Sequence, residues 1–252
     1  MNAAVRQSRL RGTAALVVLA AAFLVLVGLG TWQVQRLHWK EQLIARIDER
    51  MRAEPVSLGE AEALFARTGD VDYVPVTVSG TFLHAAERHF FATWQGQSGF
   101  YVYTPLALQD GRFVFVNRGF VPYDRKDPAT RMQGQVEGEV TLGGLARNPV
   151  AEKPSLIMPD NNLAKNIFYW KDLAAMAASA GLPQNADVLP FFIDSGPVAV
   201  PGRIPVGGVT IVDLPNNHLQ YAITWYGLAG ALLLVAGAWF LRRRRLEGEA
   251  RP

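Results

Sequence analysis

Four histidines and no cysteine limit the metal and proton chemistry open to this chain. Without thiols there is no thiolate metal site, no thiol copper relay and no covalent c-type haem attachment. His84 and His89 flank the start of a strand and read as surface histidines. His38 lies in a charged extension and reads as solvated or at headgroup depth. His218 differs. It follows Leu214-Pro215-Asn216-Asn217, where a strand must turn into a helix, and Asn216 or Asn217 is a natural N-cap. His218 then falls in the first helical turn, at the positive end of the helix dipole, a setting that suits a neutral imidazole able to ligate metal. Spacings of three and four put Tyr221, Ala222 and Trp225 on its stripe. The same pattern also fits a capping histidine beside an ordinary aromatic belt, and spacing alone leaves both readings open.

A second stripe gathers Trp32, Gln35, Arg36 and Trp39, with Lys40 beside it. Aromatic and basic residues at headgroup depth suit any membrane anchor. They also suit a flat, amphipathic, metal-bearing ligand, with acidic groups meeting Arg36 or Lys40, a ring stacked on tryptophan and a hydrophobic tail in lipid. Arg118, in Val116-Asn117-Arg118-Gly119-Phe120-Val121-Pro122, interrupts an otherwise apolar strand. It reads either as an arginine snorkelling from a sheet edge or paired to a core carboxylate, or as a buried basic anchor for a partner or acidic ligand. No phosphate-binding loop, nucleophile elbow, H-E-x-x-H or dinucleotide fingerprint occurs.

What positions these residues is a pair of apolar segments at the two ends. The first runs from about Thr13 to Trp32 behind Arg6, Arg9 and Arg11; the second from about Tyr221 to Leu241, ending at Arg242 to Arg245. Each holds roughly 20 residues, about 30 Å of helix, enough to cross a bilayer. Positive flanks stay in the cytoplasm, so both termini are expected there. The two helices then run antiparallel, which brings His218 to the height of Trp32 and Arg36. Leu29-Gly30-Thr31-Trp32-Gln33 is a poor cleavage site, so the first segment reads as an uncleaved anchor. The expected organisation is a cytoplasmic N-terminus over 1–12, membrane helices over 13–32 and 221–241, a domain over 33–220 in the periplasm of a bacterium or the intermembrane space of a mitochondrion, and a basic cytoplasmic tail over 242–252. The terminal segments hold eight of the 25 basic residues, leaving 17 against 20 acidic ones between Gly12 and Leu241. The basic excess therefore sets orientation and does not mark a nucleic-acid surface.

Helical spacing continues from Val34 to Arg52, and Pro55 ends it. Ser57-Leu58-Gly59-Glu60 reads as a capping box opening a short helix to about Ala66. The period then becomes two: Val74, Val76, Val78, Gly80 and Phe82 share one face. Further strands are expected over His89 to Trp94, over Phe100 to Leu108 and Arg112 to Val121 joined by a turn at Gln109-Asp110-Gly111, and over Gln135 to Leu145. Short candidates lie at Ile167 to Trp170 and Phe191 to Asp194, with a last strand at Gly208 to Leu214. One helix, Lys171 to Ala180, is closed by Gly181 and Pro183. The fold class is thus two transmembrane helices flanking a mainly antiparallel α+β domain, a curved sheet or small open barrel.

At these residues the chain resembles the Surfeit locus protein 1 family of cytochrome c oxidase assembly factors. The resemblance runs through Gly30-Thr31-Trp32-Gln33-Val34-Gln35-Arg36 with Trp39-Lys40, Pro75 to Phe82, Asn117 to Pro122, and most specifically Asn216-Asn217-His218-Leu219-Gln220-Tyr221-Ala222-Ile223-Thr224-Trp225-Tyr226-Gly227-Leu228-Ala229. It implies an inner-membrane protein that helps build the haem centres of the oxidase, a carrier and not an enzyme. It further implies haem a as bound cargo, with His218 as the iron ligand; the two stripes read above then place Trp32, Arg36, Tyr221 and Trp225 around it. Cytochrome c oxidase subunit I is the implied recipient, with haem a synthase and the lipid bilayer as further partners and no nucleic acid. The implied location is the bacterial inner membrane, with the central domain in the periplasm. The alternative is a membrane-anchored chaperone or scaffold for oxidase assembly that binds no cofactor.

Overall fold

The computed structural model describes residues 3–197, 204–210 and 214–249. The chain divides into two units, Met1–Arg46 with Asp213–Pro252, and Ile47–Val212.

The first unit is a pair of antiparallel helices, α1 (Ala3–Met51, whose last turns belong to the second unit) and α4 (His218–Glu249). Both contain segments long and apolar enough to cross a membrane. They touch where small residues permit: a Cβ on Gly30 would lie 2.9 Å from the Tyr226 ring, and the Thr31 and Tyr226 hydroxyls share a hydrogen bond of 3.0 Å. Small residues let helix backbones approach, and a hydroxyl pair adds a directional contact that lipid cannot supply.

The second unit is an α+β domain. Its strands are β1 (Val56–Ser57), β2 (Val74–Phe82), β3 (Arg88–Trp94), β4 (Gln97–Ala107), β5 (Phe113–Pro122), β6 (Glu139–Arg147) and β7 (Val188–Ser195), in sheet order β1-β2-β6-β7-β5-β4-β3. Five pairings are antiparallel; β1 with β2 and β5 with β7 are parallel. The sheet curls until the end of β2 meets β4 at Thr81–Ala107 and Phe82–Leu106, yet these are the two pairs they form, so it is not a closed barrel. Gly80 allows that approach, since a Cβ there would clash with the Ala107 carbonyl oxygen.

The helices of this unit begin and end on local chemistry. In α2 (Leu58–Thr68), the Glu60 amide donates to Ser57 Oγ at 3.3 Å and the Ser57 amide donates to Glu60 Oε2 at 2.8 Å; Gly69 then turns left-handed. In α3 (Leu173–Ser179), Asp172 caps the Ala175 amide at 2.9 Å. The two helices cover opposite sheet faces. Val76, Val114, Val116 and Phe191 pack with Ala61 of α2, while Tyr103, Phe115 and Phe192 pack with Met176 of α3. Successive side chains on a strand point to opposite faces, so β5 feeds both cores and reads as a continuous apolar run.

Three expected strands change. Gly208 to Leu214 does not form one among the described residues 208–210 and 214; residues 211–213 lie outside them. Only Val206 bridges, antiparallel to Phe120, and the run after it opens with Gly207 and Gly208, the latter at φ 70°. Ile167 to Trp170 contributes single bridges, Phe168 to Phe90 and Ile167 to Asn162, beside Asn166 at φ 49°. The strand expected from Gln135 starts at Glu139, because a 3-10 segment runs over Pro128–Gly134 and Gly138 turns at φ 80°.

Candidate functional site: a histidine between the two helices

His218 opens α4, preceded by Asn217, whose carbonyl accepts the Tyr221 amide at 3.2 Å. Its stripe faces α1: Ala222 and Ala229 are buried and Trp225 half-buried, at steps of four, seven and eleven residues from His218. Opposite lies Gln33, which is 9% exposed. Its Oε1 is 2.7 Å from His218 Nδ1. An amide oxygen only accepts, so Nδ1 carries the proton and donates. In the neutral ring the other nitrogen, Nε2, then presents its lone pair, with no hydrogen-bond partner among the described residues. A ring nitrogen held by an acceptor while its twin stays basic is the arrangement seen in metal-ligating histidines.

The other expected residues fall at different angles. Trp32 is 54% exposed and, at 100° per residue, lies off the face that carries Gly30 and Gln33. Arg36 sits on the flank, its guanidinium 3.8 Å above the Trp39 ring. Lys40, two turns beyond Gln33, returns to the inner face and is half-buried. Tyr221 is exposed beside the stripe. The structure therefore brings together His218, Ala222, Trp225 and Gln33, and leaves Trp32 and Arg36 outside that group. Gln33 was missed as a functional candidate. A lone glutamine at the end of an apolar run, seven residues before Lys40, was the available signal.

The second unit holds two buried polar clusters. His89 is not the surface residue that its flanking position suggested, and His84 is half-buried. His89 is 4% exposed, and its Nε2 donates to Glu87 Oε1 at 3.1 Å; Arg131 donates to the same oxygen. Burial holds His89 below the usual imidazole range despite that carboxylate. His84 is lowered too, chiefly by burial, although its Nε2 bonds the Val136 carbonyl at 2.8 Å. Its Nδ1 lies 3.2 Å from Arg118, so it is the acceptor for that guanidinium.

Arg118 is buried on an inner strand and donates to the Gly134 carbonyl. It does not snorkel from an edge, and among the described residues it pairs directly with no carboxylate. Burial pushes it down to about 10. It anchors the chain's own Pro128–Gly134 segment. Its neighbours share this structural duty. Asn117 Nδ2 donates to Asp194 Oδ1 at 3.0 Å, and Gly119, at φ 120°, has no room for a Cβ against the Val206 carbonyl oxygen. Asp194 also accepts from Arg147 at 3.1 Å and Thr210 at 3.0 Å, tying β5, β6 and β7 together. No group of three or more His, Cys, Asp or Glu side chains suited to a metal occurs among the described residues.

Against known proteins, the model of the SURF1 family matches residues 20–230. The chain belongs to the SURF1 family. It is 41% identical to human Surfeit locus protein 1 over 233 residues, covering 85% of this chain and 74% of that one. It is 38% identical to a SURF1-like protein of Monosiga brevicollis over 234 residues, covering 87% and 84%. With a SURF1-like protein of Drosophila melanogaster the identity is 33% over 224 residues, covering 81% and 70%. The SURF1 match begins inside α1 and ends inside α4, so Gln33, Lys40 and His218 all lie within it.

Proposed function

We propose that this SURF1 protein is an oxidase assembly factor that holds haem a through His218 and passes it to subunit I of cytochrome c oxidase. The observation that carries the reading is the 2.7 Å bond from His218 Nδ1 to Gln33, which leaves Nε2 as the ligating nitrogen. Family membership supports the assembly role; the tautomer supports the cargo. One imidazole gives an exchangeable bond, which suits delivery better than a closed two-ligand cage. Lys40, on the Gln33 face, is the better placed of the two candidate partners for a propionate, and Trp225 lies half-buried on the His218 stripe. Trp32 and Arg36 border lipid on the other side and fit an anchoring role.

In this reading α1 and α4 cross a bacterial inner membrane over about 13–32 and 221–241, with both termini cytoplasmic and the α+β domain periplasmic. The arginines at both ends support that orientation.

The test is chemical. The full chain, coexpressed with haem a synthesis and purified, is expected to carry haem a, and His218→Ala to lose it. Haem content unchanged in His218→Ala sinks the ligand assignment. A wild-type protein free of haem that still co-purifies with oxidase subunits favours the scaffold reading instead.

A further inference from the structure

The far end of the helix pair, about 30 Å from His218 along α4, holds a feature that haem handling does not use. Between α1 and α4 lies a cleft of about 790 Å³ lined by Leu16, Leu19, Leu233, Phe240, Arg243 and Arg244 among others. Its size falls within the roughly 300–1,000 Å³ typical of ligand sites. A smaller apolar cleft of about 430 Å³ adjoins it and shares Leu19 and Trp239. The two spaces thus flank one tryptophan. Gly12 and Gly237 line the larger one without side chains to fill it.

The mouth is basic. The Arg243 guanidinium reaches across to Gly12, where a Cβ would lie 3.4 Å from it, and stands 5.6 Å from the Trp239 ring. Arg244 stands 4.8 Å from the Phe240 ring. From Gly12 to Trp32 there is no charged residue, and from Tyr221 to Arg244 the charges are arginines alone, with Glu247 and Glu249 following at the end of α4. An apolar slot under a pair of oriented guanidiniums matches one chemistry: a phosphate diester on hydrocarbon chains. Arginine binds phosphate with a planar fork of donors, and basic pockets between membrane helices take anionic headgroups.

We propose that this cleft binds an anionic phospholipid of the leaflet nearer the termini. Its phosphate meets Arg243 and Arg244, and its acyl chains lie along Leu16, Leu19 and Leu233 on either side of Trp239. The lipid would wedge the inner ends of α1 and α4 at a fixed spacing, while Gly30 and Tyr226 hold the outer ends together.

The experiment uses the full chain in phosphatidylcholine nanodiscs with a minor share of spin-labelled phosphatidylglycerol, against spin-labelled phosphatidylcholine. The protein is expected to immobilise the anionic probe preferentially. Arg243→Gln and Arg244→Gln should each weaken the preference about five-fold. Gly237→Leu, and separately Leu19→Trp from the other helix, fill the cleft with all charges kept and should reduce the immobilised fraction. Circular dichroism identifies any variant that misfolds, and the other then serves. Equal immobilisation of both probes overturns the proposal. So does a preference that survives both cleft-filling changes, which would be diffuse attraction to the arginine tail. Displacement of the probe by inorganic phosphate would mark a phosphate site and equally overturn it.

Discussion

Replacing Gln33 by Leu isolates the orientation of His218 from its presence. Leucine has nearly the same volume and keeps the buried contact with α4, but it removes the acceptor 2.7 Å from Nδ1. The imidazole is then free to protonate either nitrogen and to rotate. Loss of such a supporting partner costs metal affinity about 10–100-fold, or about 1.4–2.8 kcal/mol. A carboxylate in place of the amide works the other way: Gln33→Glu offers a charged acceptor, strengthens the bond and should retain haem a at least as well as the wild type. The assay loads each full-length variant with haem a and follows transfer to an excess of an apo-haemoprotein. The expected order of dissociation rates is Gln33→Leu fastest of the three, wild type and Gln33→Glu slow, with His218→Ala failing to load. A Gln33→Leu rate within about two-fold of wild type, with His218→Ala empty, would refute the tautomer argument while leaving the ligand in place.

Three further outcomes are expected. Asp194→Ala leaves Asn117 and Thr210 without their shared acceptor and Arg147 with Asp72 as its remaining carboxylate, and should cost about 1–3 kcal/mol, read as a lowered denaturation midpoint of the full chain; a change under about 0.5 kcal/mol contradicts the network. His84 and His89 are held below their usual value by burial, so their contribution to stability is present above about pH 6.5 and is lost as pH falls below it, when the unfolded chain takes up protons first. His84→Gln with His89→Gln should flatten the stability profile between about pH 6.5 and 5, and an unaltered slope there would count against the assignment. Gly30→Leu presses a side chain into the Tyr226 ring and should part the helices and lower haem retention, whereas Tyr226→Phe removes one interhelical bond worth about 0.6 kcal/mol and should leave retention near wild type.

Local signals explain what could be read in advance. The β2 face of Val74, Val76 and Val78, the turn at Asp110-Gly111, the Ser57–Glu60 capping box and the two apolar spans each depend on residues a few positions apart. Period, hydropathy and cap chemistry act at that range. The position of His218 in a first helical turn is of the same kind. The strand expected at Gly208 does not form among the described residues 208–210 and 214 for the complementary reason: its pairing depended on a distant partner, and among the described residues the bridge falls earlier, from Val206 to Phe120.

The sequence by itself determined two membrane-length helices, most of the strands between them and a histidine at the start of the second helix. Only the tertiary structure decided what that histidine faces. Gln33 is 185 positions away, and its match to His218 depends on how α1 is rotated against α4. The same rotation turns Trp32 outward, although composition placed it at the right depth. His89 was likewise decided from afar, because the Glu87 oxygen to which it donates is shared with Arg131, 42 positions later. A polar side chain carries no mark of its partner in the residues beside it. Hydrogen bonds across a fold are set by packing, and packing is settled only when distant segments meet.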